Sequence, residues 1–152
     1  MKGRPSGKPR KRALRATVLD SYAILAFLFG EPGDGFVSAA FEKAAEVGKR
    51  LLVAAPNWTE VRYQVERKVG LKRWNEVRTR LLSLPIEIVS IDQQLAEDAG
   101  ALKAVHRMSL ADCFAAALTA KVKGEILTGD PEFKAVEKLI RVVWLSATRS
   151  RS

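Results

Sequence analysis

Short apolar runs alternate with longer stretches of amphipathic spacing along most of the chain. The apolar runs are ATVLD at 16–20, LLVA at 51–54, IEIVS at 86–90, EILT at 125–128 and RVVWL at 141–145. Between them, apolar residues recur every three or four positions, as with Leu95, Ala99 and Leu102. Apolar runs of this length predict strands, and the wider spacing predicts helices. Regular alternation of the two predicts an α/β fold with a parallel sheet of about five strands.

The same spacing predicts six helical segments. They run from Ser21 to about Phe29, over 36–48, from Pro56 through Val69, over 71–84, from Asp92 to about His106, and from Ser109 to about Lys123. The last segment is apolar almost all round, so we expect it to be buried against the sheet. Asp112 lies in its first turn, where a buried carboxylate is costly unless a positive or donating group meets it.

Composition limits the class of protein. With 152 residues, of which 47% are hydrophobic, the chain is long enough for one domain with its own core. Neither a membrane span nor a secretory signal is indicated, so we expect a cytoplasmic protein without a membrane partner. One cysteine and one histidine exclude an internal disulfide framework and do not suffice for a zinc site. Any bound metal should therefore be held by oxygen.

The net charge of +9 belongs to the two ends of the chain. Residues 1–15 and 149–152 hold nine of the 26 basic residues and no acid, whereas 16–148 hold 17 basic and 17 acidic residues. We therefore predict a basic, disordered N-terminal extension at 1–15, one charge-balanced domain at 16–148 and a short basic tail at 149–152. The extension suits a polyanion such as RNA. A solubilising tail or a misplaced start codon is an equally good interpretation.

Four acidic residues fall where a predicted strand ends or a helix begins. Asp20 and Asp130 follow apolar strands, and Glu60 and Asp112 lie in first helical turns. In open α/β sheets, ligands bind at the carboxyl edge of the strands. Each acid also fits a helix cap, a role worth only about 1 kcal/mol. The capping alternatives are Ser109 with Asp112, Asn57 with Glu60, Asp20 before Ser21, and Asp130 before Pro131. Caps have no reason to gather at one sheet edge, so convergence would indicate a functional cluster.

Carboxylates that gather within a few ångströms repel one another and need cations. Mg²⁺ or Mn²⁺ suits them, because these ions prefer oxygen ligands and are bound by carboxylates together with substrate phosphates. Such an ion activates water and offsets charge in phosphodiester hydrolysis. The acids therefore predict a metal-dependent hydrolase that needs no protein nucleophile.

Four motifs in order resemble a known family. The chain resembles PIN-domain ribonucleases, specifically the VapC-type toxins of toxin–antitoxin pairs, over about residues 17–145. The resemblance rests on the motifs VLDSYAILAFLFGEPG, NWTEV, SLADCFAAALTA and ILTGDPEF. The resemblance implies an α/β/α sandwich, endonucleolytic RNA cleavage, a homodimer, and an antitoxin that occupies the groove of the active site. It also implies that Asp20, Glu60, Asp112 and Asp130 are the catalytic residues and bind Mg²⁺ or Mn²⁺.

Other residues are weaker candidates for the site. The Thr128 hydroxyl can orient water or phosphate, and Ser21 can donate to a carboxylate, although strand filler and helix start are equally simple interpretations. Glu132 is a possible outer ligand, but a first-turn helix acid is the simpler interpretation. The family often places two small polar residues after its first aspartate, whereas here Tyr22 follows Ser21.

A basic stretch of the body is the candidate surface for RNA or for an acidic antitoxin. Its members are Arg62, Arg67, Lys68, Lys72 and Arg73. Glu66 and Glu76 lie nearby and favour a solvated helix face instead. Two other functions stay open: an RNA-binding adaptor without catalysis, and a phosphatase-like or DNA-directed hydrolase.

Overall fold

A computed structural model describes residues 15–145. Apart from Arg15, the predicted basic extension and tail lie outside the described residues. The strands are β1 (Thr17–Leu19), β2 (Leu51–Ala54), β3 (Ile86–Val89), β4 (Glu125–Thr128) and β5 (Arg141–Trp144). The helices are α1 (Ser21–Phe29), α2 (Asp34–Glu46), α3 (Ala55–Val69), α4 (Leu71–Leu82), α5 (Gln93–Val105) and α6 (Leu110–Lys121), with a short 3-10 helix at Pro131–Val136.

The five strands form one sheet in the order β3-β2-β1-β4-β5, and every pairing is parallel. The predicted α/β class and parallel sheet are confirmed. β1 is central because it pairs with β2 on one side and β4 on the other. The register sets Leu19 beside Leu127, so the residues that follow these two strands meet at the same edge. The carboxyl ends of β1 and β4 therefore lie next to each other at one edge of the sheet.

Helices cover both faces of the sheet. Leu95 of α5 and Leu118 of α6 belong to one buried cluster, which covers one face. Ile24 of α1, Phe41 of α2 and Trp74 of α4 belong to a second cluster, which covers the other. Apolar side chains on both sides explain why the strands are continuous apolar runs rather than alternating ones. The predicted α/β/α sandwich is confirmed.

Two local predictions change in the structure. α3 begins at Ala55, with Ala54 at the cap position and no side-chain cap. Asn57 therefore lies inside the first turn, and the predicted capping box of Asn57 with Glu60 is wrong. Pro56 favours this earlier start, because proline is accepted in the first turn, where its missing N–H has no helical partner. After Asp130 the chain forms a 3-10 helix, which apolar periodicity does not reveal.

No single helix among residues 15–145 is long and apolar enough to cross a membrane. α1 and α2 pass a test of length and composition only as a pair, and the pair is bent by 103° at its break. Both helices bury residues in the second cluster described above.

Candidate functional site

An open cavity of about 260 Å³ lies at the carboxyl ends of the central strands. Glu60, Asp112 and Asp130 line it, and so does Ser21, which directly follows Asp20. These residues come from α3, α6, the segment after β4 and α1. Parallel pairing of β1 with β4 brings α1 and the segment after β4 together although they are far apart in the sequence. The sheet therefore collects three of the predicted acids around one space and sets Asp20 next to it.

Asp20 is fully buried between β1 and α1. Its Oδ1 accepts a hydrogen bond from the Ala23 N–H at 2.9 Å, so it caps α1. Its Oδ2 accepts a hydrogen bond from the Thr128 hydroxyl. Burial raises the pKa of Asp20 from 3.8 to about 7. The two hydrogen bonds oppose this rise, and the charges of Asp130 and Glu60 add to it. Asp20 is thus both a cap and a member of the acidic cluster.

Thr128 joins two of the acids. Its hydroxyl donates to Asp20 and also accepts a hydrogen bond from the Asp130 N–H at 3.0 Å. Thr128 is the last residue of β4 and is fully buried, so its position is fixed by the sheet. Its hydroxyl therefore ties the residue after β1 to the turn after β4, a more specific role than that of strand filler.

Asp112 lies in the first turn of α6 and is only 5% exposed. The Ser109 hydroxyl accepts a hydrogen bond from the Asp112 N–H at 3.3 Å, which is half of the predicted capping box. The other half differs, because the Ser109 N–H donates to Glu132 at 2.8 Å. The carboxylate of Asp112 therefore does not cap its own helix. Burial raises its pKa to about 9, and a hydrogen bond with Glu132 and the charges of Asp20 and Asp130 add to the rise.

Glu132, a weaker candidate in the sequence, lies beside two of the four predicted acids. Carboxylate oxygens of Asp112, Asp130 and Glu132 all lie within 4.8 Å of one another, which makes them a possible ligand set for a cation. Asp130 caps the 3-10 helix by accepting from the Glu132 N–H at 2.9 Å, so the two acids share one turn. Hydrogen bonds from Ser109 and Asp112 lower the pKa of Glu132. The only signal in the sequence was its spacing of two from Asp130.

Glu60 approaches the cavity from α3. Its Oε2 is buried and has no hydrogen-bond partner among the described residues. Burial raises the pKa of Glu60, a hydrogen bond from Ser21 opposes that rise, and the charges of Asp130 and Glu132 add to it. Ser21 also lies 3.3 Å from the Asn57 carbonyl and accepts from the Asn57 amide at 3.2 Å. Ser21 therefore helps to hold α1 against α3 beside Glu60.

This donor set fits a hard divalent cation. The cavity is lined by carboxylates and includes an unpartnered buried oxygen of Glu60. Burial, and to a smaller extent mutual repulsion, raise the pKa values of Asp20, Glu60 and Asp112, and a bound cation would relieve that cost. The described part of the cavity offers no histidine or cysteine, so its chemistry favours Mg²⁺ or Mn²⁺.

The five residues of the candidate basic surface differ in their local partners. Arg62 and Arg73 each form an ion pair of 2.8 Å, with Glu66 and Glu76 respectively. The Arg67 guanidinium lies 4.8 Å from the centre of the Tyr63 ring. Lys72 is exposed on α4. The remaining member, Lys68, lines the acidic cavity itself.

A family model for the PIN domain matches residues 17–139. The chain therefore belongs to the PIN domain family, as its motifs predicted. Its acidic cavity lies within the matched range, since every lining residue falls between positions 21 and 130.

Solved structures share this fold at low sequence identity. A toxin–antitoxin complex from Klebsiella pneumoniae is 18% identical, with a TM-score of 0.62 over 88% of this chain and 100% of that one. A DNA-bound VapBC from Salmonella typhimurium is 17% identical, with a TM-score of 0.69 over 87% and 99%. VapC20 from Mycobacterium tuberculosis, described as a sarcin-ricin loop cleaving toxin, is 18% identical, with a TM-score of 0.61 over 80% and 95%. The fold is thus one that VapC proteins also have. No curated protein matches the chain by sequence.

Proposed function

We propose that this PIN-domain protein is the toxin of a toxin–antitoxin pair and that it is an endoribonuclease dependent on Mg²⁺ or Mn²⁺. The observation that carries the proposal is the grouping of Asp112, Asp130 and Glu132 within 4.8 Å at one sheet edge, beside the unpartnered oxygen of Glu60. Helix capping alone does not account for that grouping, which joins acids from α3, α6 and the turn after β4. Membership of the PIN family and a fold shared with toxin–antitoxin proteins support the toxin assignment.

Each acid has a role in the proposed site. Asp112, Asp130 and Glu132 would hold the cation, and Glu60 would approach it from α3. Asp20 completes the cluster of four predicted from the motifs, and its bond with Thr128 keeps the turn that carries Asp130 in position. When bound, the ion supplies positive charge that activates water and offsets charge on the phosphodiester. Ionised carboxylates would repel a phosphodiester, and the bound cation would offset that repulsion.

RNA as the substrate and an antitoxin as a partner belong to the same proposal. One solved structure with this fold is described as a sarcin-ricin loop cleaving toxin, and others are complexes of a toxin with its antitoxin. We extend both features to this chain, together with a homodimer. The cavity is open to solvent on one side, which suits a polymer that enters from the surface.

The test compares cleavage of a structured RNA pool by the wild type and by Asp112→Asn and Glu60→Gln variants. Each reaction is run with Mg²⁺, with Mn²⁺ and with EDTA. We expect cleavage by the wild type with either metal, none in EDTA, and a loss of at least about 100-fold in Asp112→Asn, as for residues that act directly in catalysis. Because water is the nucleophile, the products should carry no 2′,3′-cyclic phosphate.

A matched control is Asp98→Asn, which makes the same change at an exposed acid of α5 whose only side-chain hydrogen bond among residues 15–145 is with Gln94. It should cleave like the wild type. Binding of Mn²⁺ is followed separately by the rise in thermal midpoint, which should be large for the wild type and small for Asp112→Asn. Equal cleavage by all the proteins would reveal a contaminating nuclease. Metal binding and RNA binding without cleavage would support the adaptor instead, and faster turnover of DNA would support the DNA-directed hydrolase.

A further inference from the structure

The acidic cavity continues as a groove between α1 and α3. Each helix contributes a row of residues four positions apart, which lie on one face of a helix. The rows are Ser21, Leu25 and Phe29 on α1, and Glu60, Gln64 and Lys68 on α3. Both rows begin at the acidic cluster. Eight residues of α-helix rise about 12 Å, so the groove extends roughly that far from Glu60 to Lys68.

The far end of the groove carries a cation beside an aromatic ring. The Lys68 ammonium lies 4.0 Å from the centre of the Phe29 ring. Lys68 forms no ion pair within residues 15–145, in contrast to Arg62 and Arg73. Glu31 lines the same cavity and is the one acid that is not part of the cluster. Lys68 is thus the only positively charged residue that lines the cavity in the described part of the chain.

The near end carries an exposed aromatic ring. Tyr22 lines the cavity and is 42% exposed, although it directly follows the buried residues Asp20 and Ser21. Its ring lies against the backbone of Gly129, where an added Cβ would come within 2.4 Å of Cε1. Gly129 precedes Asp130 in the sequence, so the ring is held next to the acidic cluster. An aromatic face that is fixed on one side and open to solvent on the other can accept a nucleobase.

From these contacts we infer that the groove binds single-stranded RNA, with a nucleobase stacked on Tyr22 and a phosphate held by Lys68. The inference rests on the proposed function, because it assumes that the scissile phosphate lies at the acidic end. The charges favour a polyanion in one direction only, with its reacting phosphate at the cation bound by the acids and a later phosphate at Lys68. A strand of two to three nucleotides would span about the 12 Å between these ends.

Binding is measured by fluorescence anisotropy with a labelled, unpaired oligoribonucleotide in Ca²⁺, a hard cation that also takes oxygen ligands, under conditions where a gel shows that the oligonucleotide stays intact. Lys68→Ala should weaken binding and reduce the slope of log K against log salt by about 0.7, because one phosphate contact is lost. Tyr22→Ala should weaken binding roughly fivefold or more with an unchanged slope, while Tyr22→Phe keeps the ring and binds like the wild type. With Mn²⁺ present, both weakened variants should raise KM more than they lower kcat.

Two controls separate this groove from diffuse attraction. Lys43→Ala removes the same charge from α2, where Lys43 lines a different cavity at the amino ends of β1, β2 and β4, and it should bind RNA normally. Glu31→Gln removes the opposing charge and should strengthen binding. Thermal unfolding of each variant checks that it is folded.

Several results would overturn the inference. These are equal losses in Lys43→Ala and Lys68→Ala, no RNA binding by the wild type, or unchanged affinity in both Lys68→Ala and Tyr22→Ala. The last result would favour a protein partner, rather than RNA, as the molecule that binds at this end of the groove. Failure of the proposed function looks different, because RNA binding would then depend on Tyr22 and Lys68 while the wild type showed no metal-dependent cleavage.

Discussion

Glu132 accepts a hydrogen bond from the Ser109 N–H at 2.8 Å and thereby occupies the place that Asp112 would have in a capping box. The 3-10 helix that carries Glu132 is in this way fastened to the start of α6. Because the Ser109 N–H already donates to Glu132, the carboxylate of Asp112 does not cap α6 and lines the cavity. One contact between two segments thus sets which acid caps the helix and which faces the proposed ligand.

Substitution of Glu132 should separate its capping role from its charge. Glu132→Ala removes both and should lower the free energy of unfolding in EDTA by about 1 kcal/mol, the usual contribution of a cap. Glu132→Gln keeps an oxygen acceptor for Ser109, so its stability in EDTA should stay close to that of the wild type. Both variants should gain less stability from Mn²⁺ than the wild type. Urea unfolding with and without the metal measures both effects, and full Mn²⁺ stabilisation of Glu132→Gln would contradict a ligand role.

Thr128→Val should destabilise the protein although it preserves the shape of the side chain. The change removes the hydroxyl that donates to the buried Asp20 and accepts from the Asp130 N–H. A buried polar group without a partner costs about 1–3 kcal/mol, so urea unfolding should detect a loss of that size. Thr128→Ser retains the hydroxyl and should lose much less. Equal stability of Thr128→Val and the wild type would mean that the hydroxyl has no structural role.

The metal-free protein should lose stability relative to an Asp20→Asn variant as the pH rises from about 4 to about 7. The pKa of Asp20 is raised from 3.8 to about 7 by burial, so in this range the folded state binds more protons than the unfolded state. Stability is therefore greatest below the unfolded pKa and is lost as the pH rises through the folded pKa. Urea unfolding in EDTA at several pH values gives the difference between the two proteins. It should grow with pH in favour of Asn, and a constant difference would refute the expectation.

Gly129→Ala should be costly because the added Cβ would meet the Tyr22 ring. The distance between them would be 2.4 Å, so the ring has to move or the turn has to shift, at about 1–3 kcal/mol. The cost should largely disappear when Gly129→Ala is made in a Tyr22→Ala background, because the space is then free. A double-mutant cycle by thermal unfolding measures this coupling. If the destabilisations by the two substitutions simply add, the close approach of Tyr22 to Gly129 does not couple the two residues energetically.

Much of the fold was predictable because buried parallel strands appear in the sequence as continuous apolar runs. β2 and β4 appear as short apolar runs with the bounds that the structure gives them, since both of their faces are covered. Helix starts were less certain. Asn57 has the composition of a cap but lies inside α3, because Pro56 is accepted in the first turn and the helix starts before it.

The four acids could be placed at the carboxyl edge of the sheet from the sequence. Asp20 and Asp130 come just after apolar runs, and Glu60 and Asp112 lie in the first turns of predicted helices. The grouping of Glu132 with Asp112 and Asp130 could not be predicted, because it depends on how a 3-10 helix packs against α6. Likewise, five basic residues looked alike in the sequence, and only their partners in the fold distinguish Lys68 from Arg62.

The order of strands in the sheet also bears on when the acidic pocket can form during synthesis. β1 leaves the ribosome before its neighbour β4, which follows more than a hundred residues later, as the separation of 108 positions between Asp20 and Thr128 indicates. Until then, Asp20 and Glu60 have no counterparts from the 3-10 helix. A nascent chain therefore carries an incomplete pocket until β4 and the 3-10 helix have both been made.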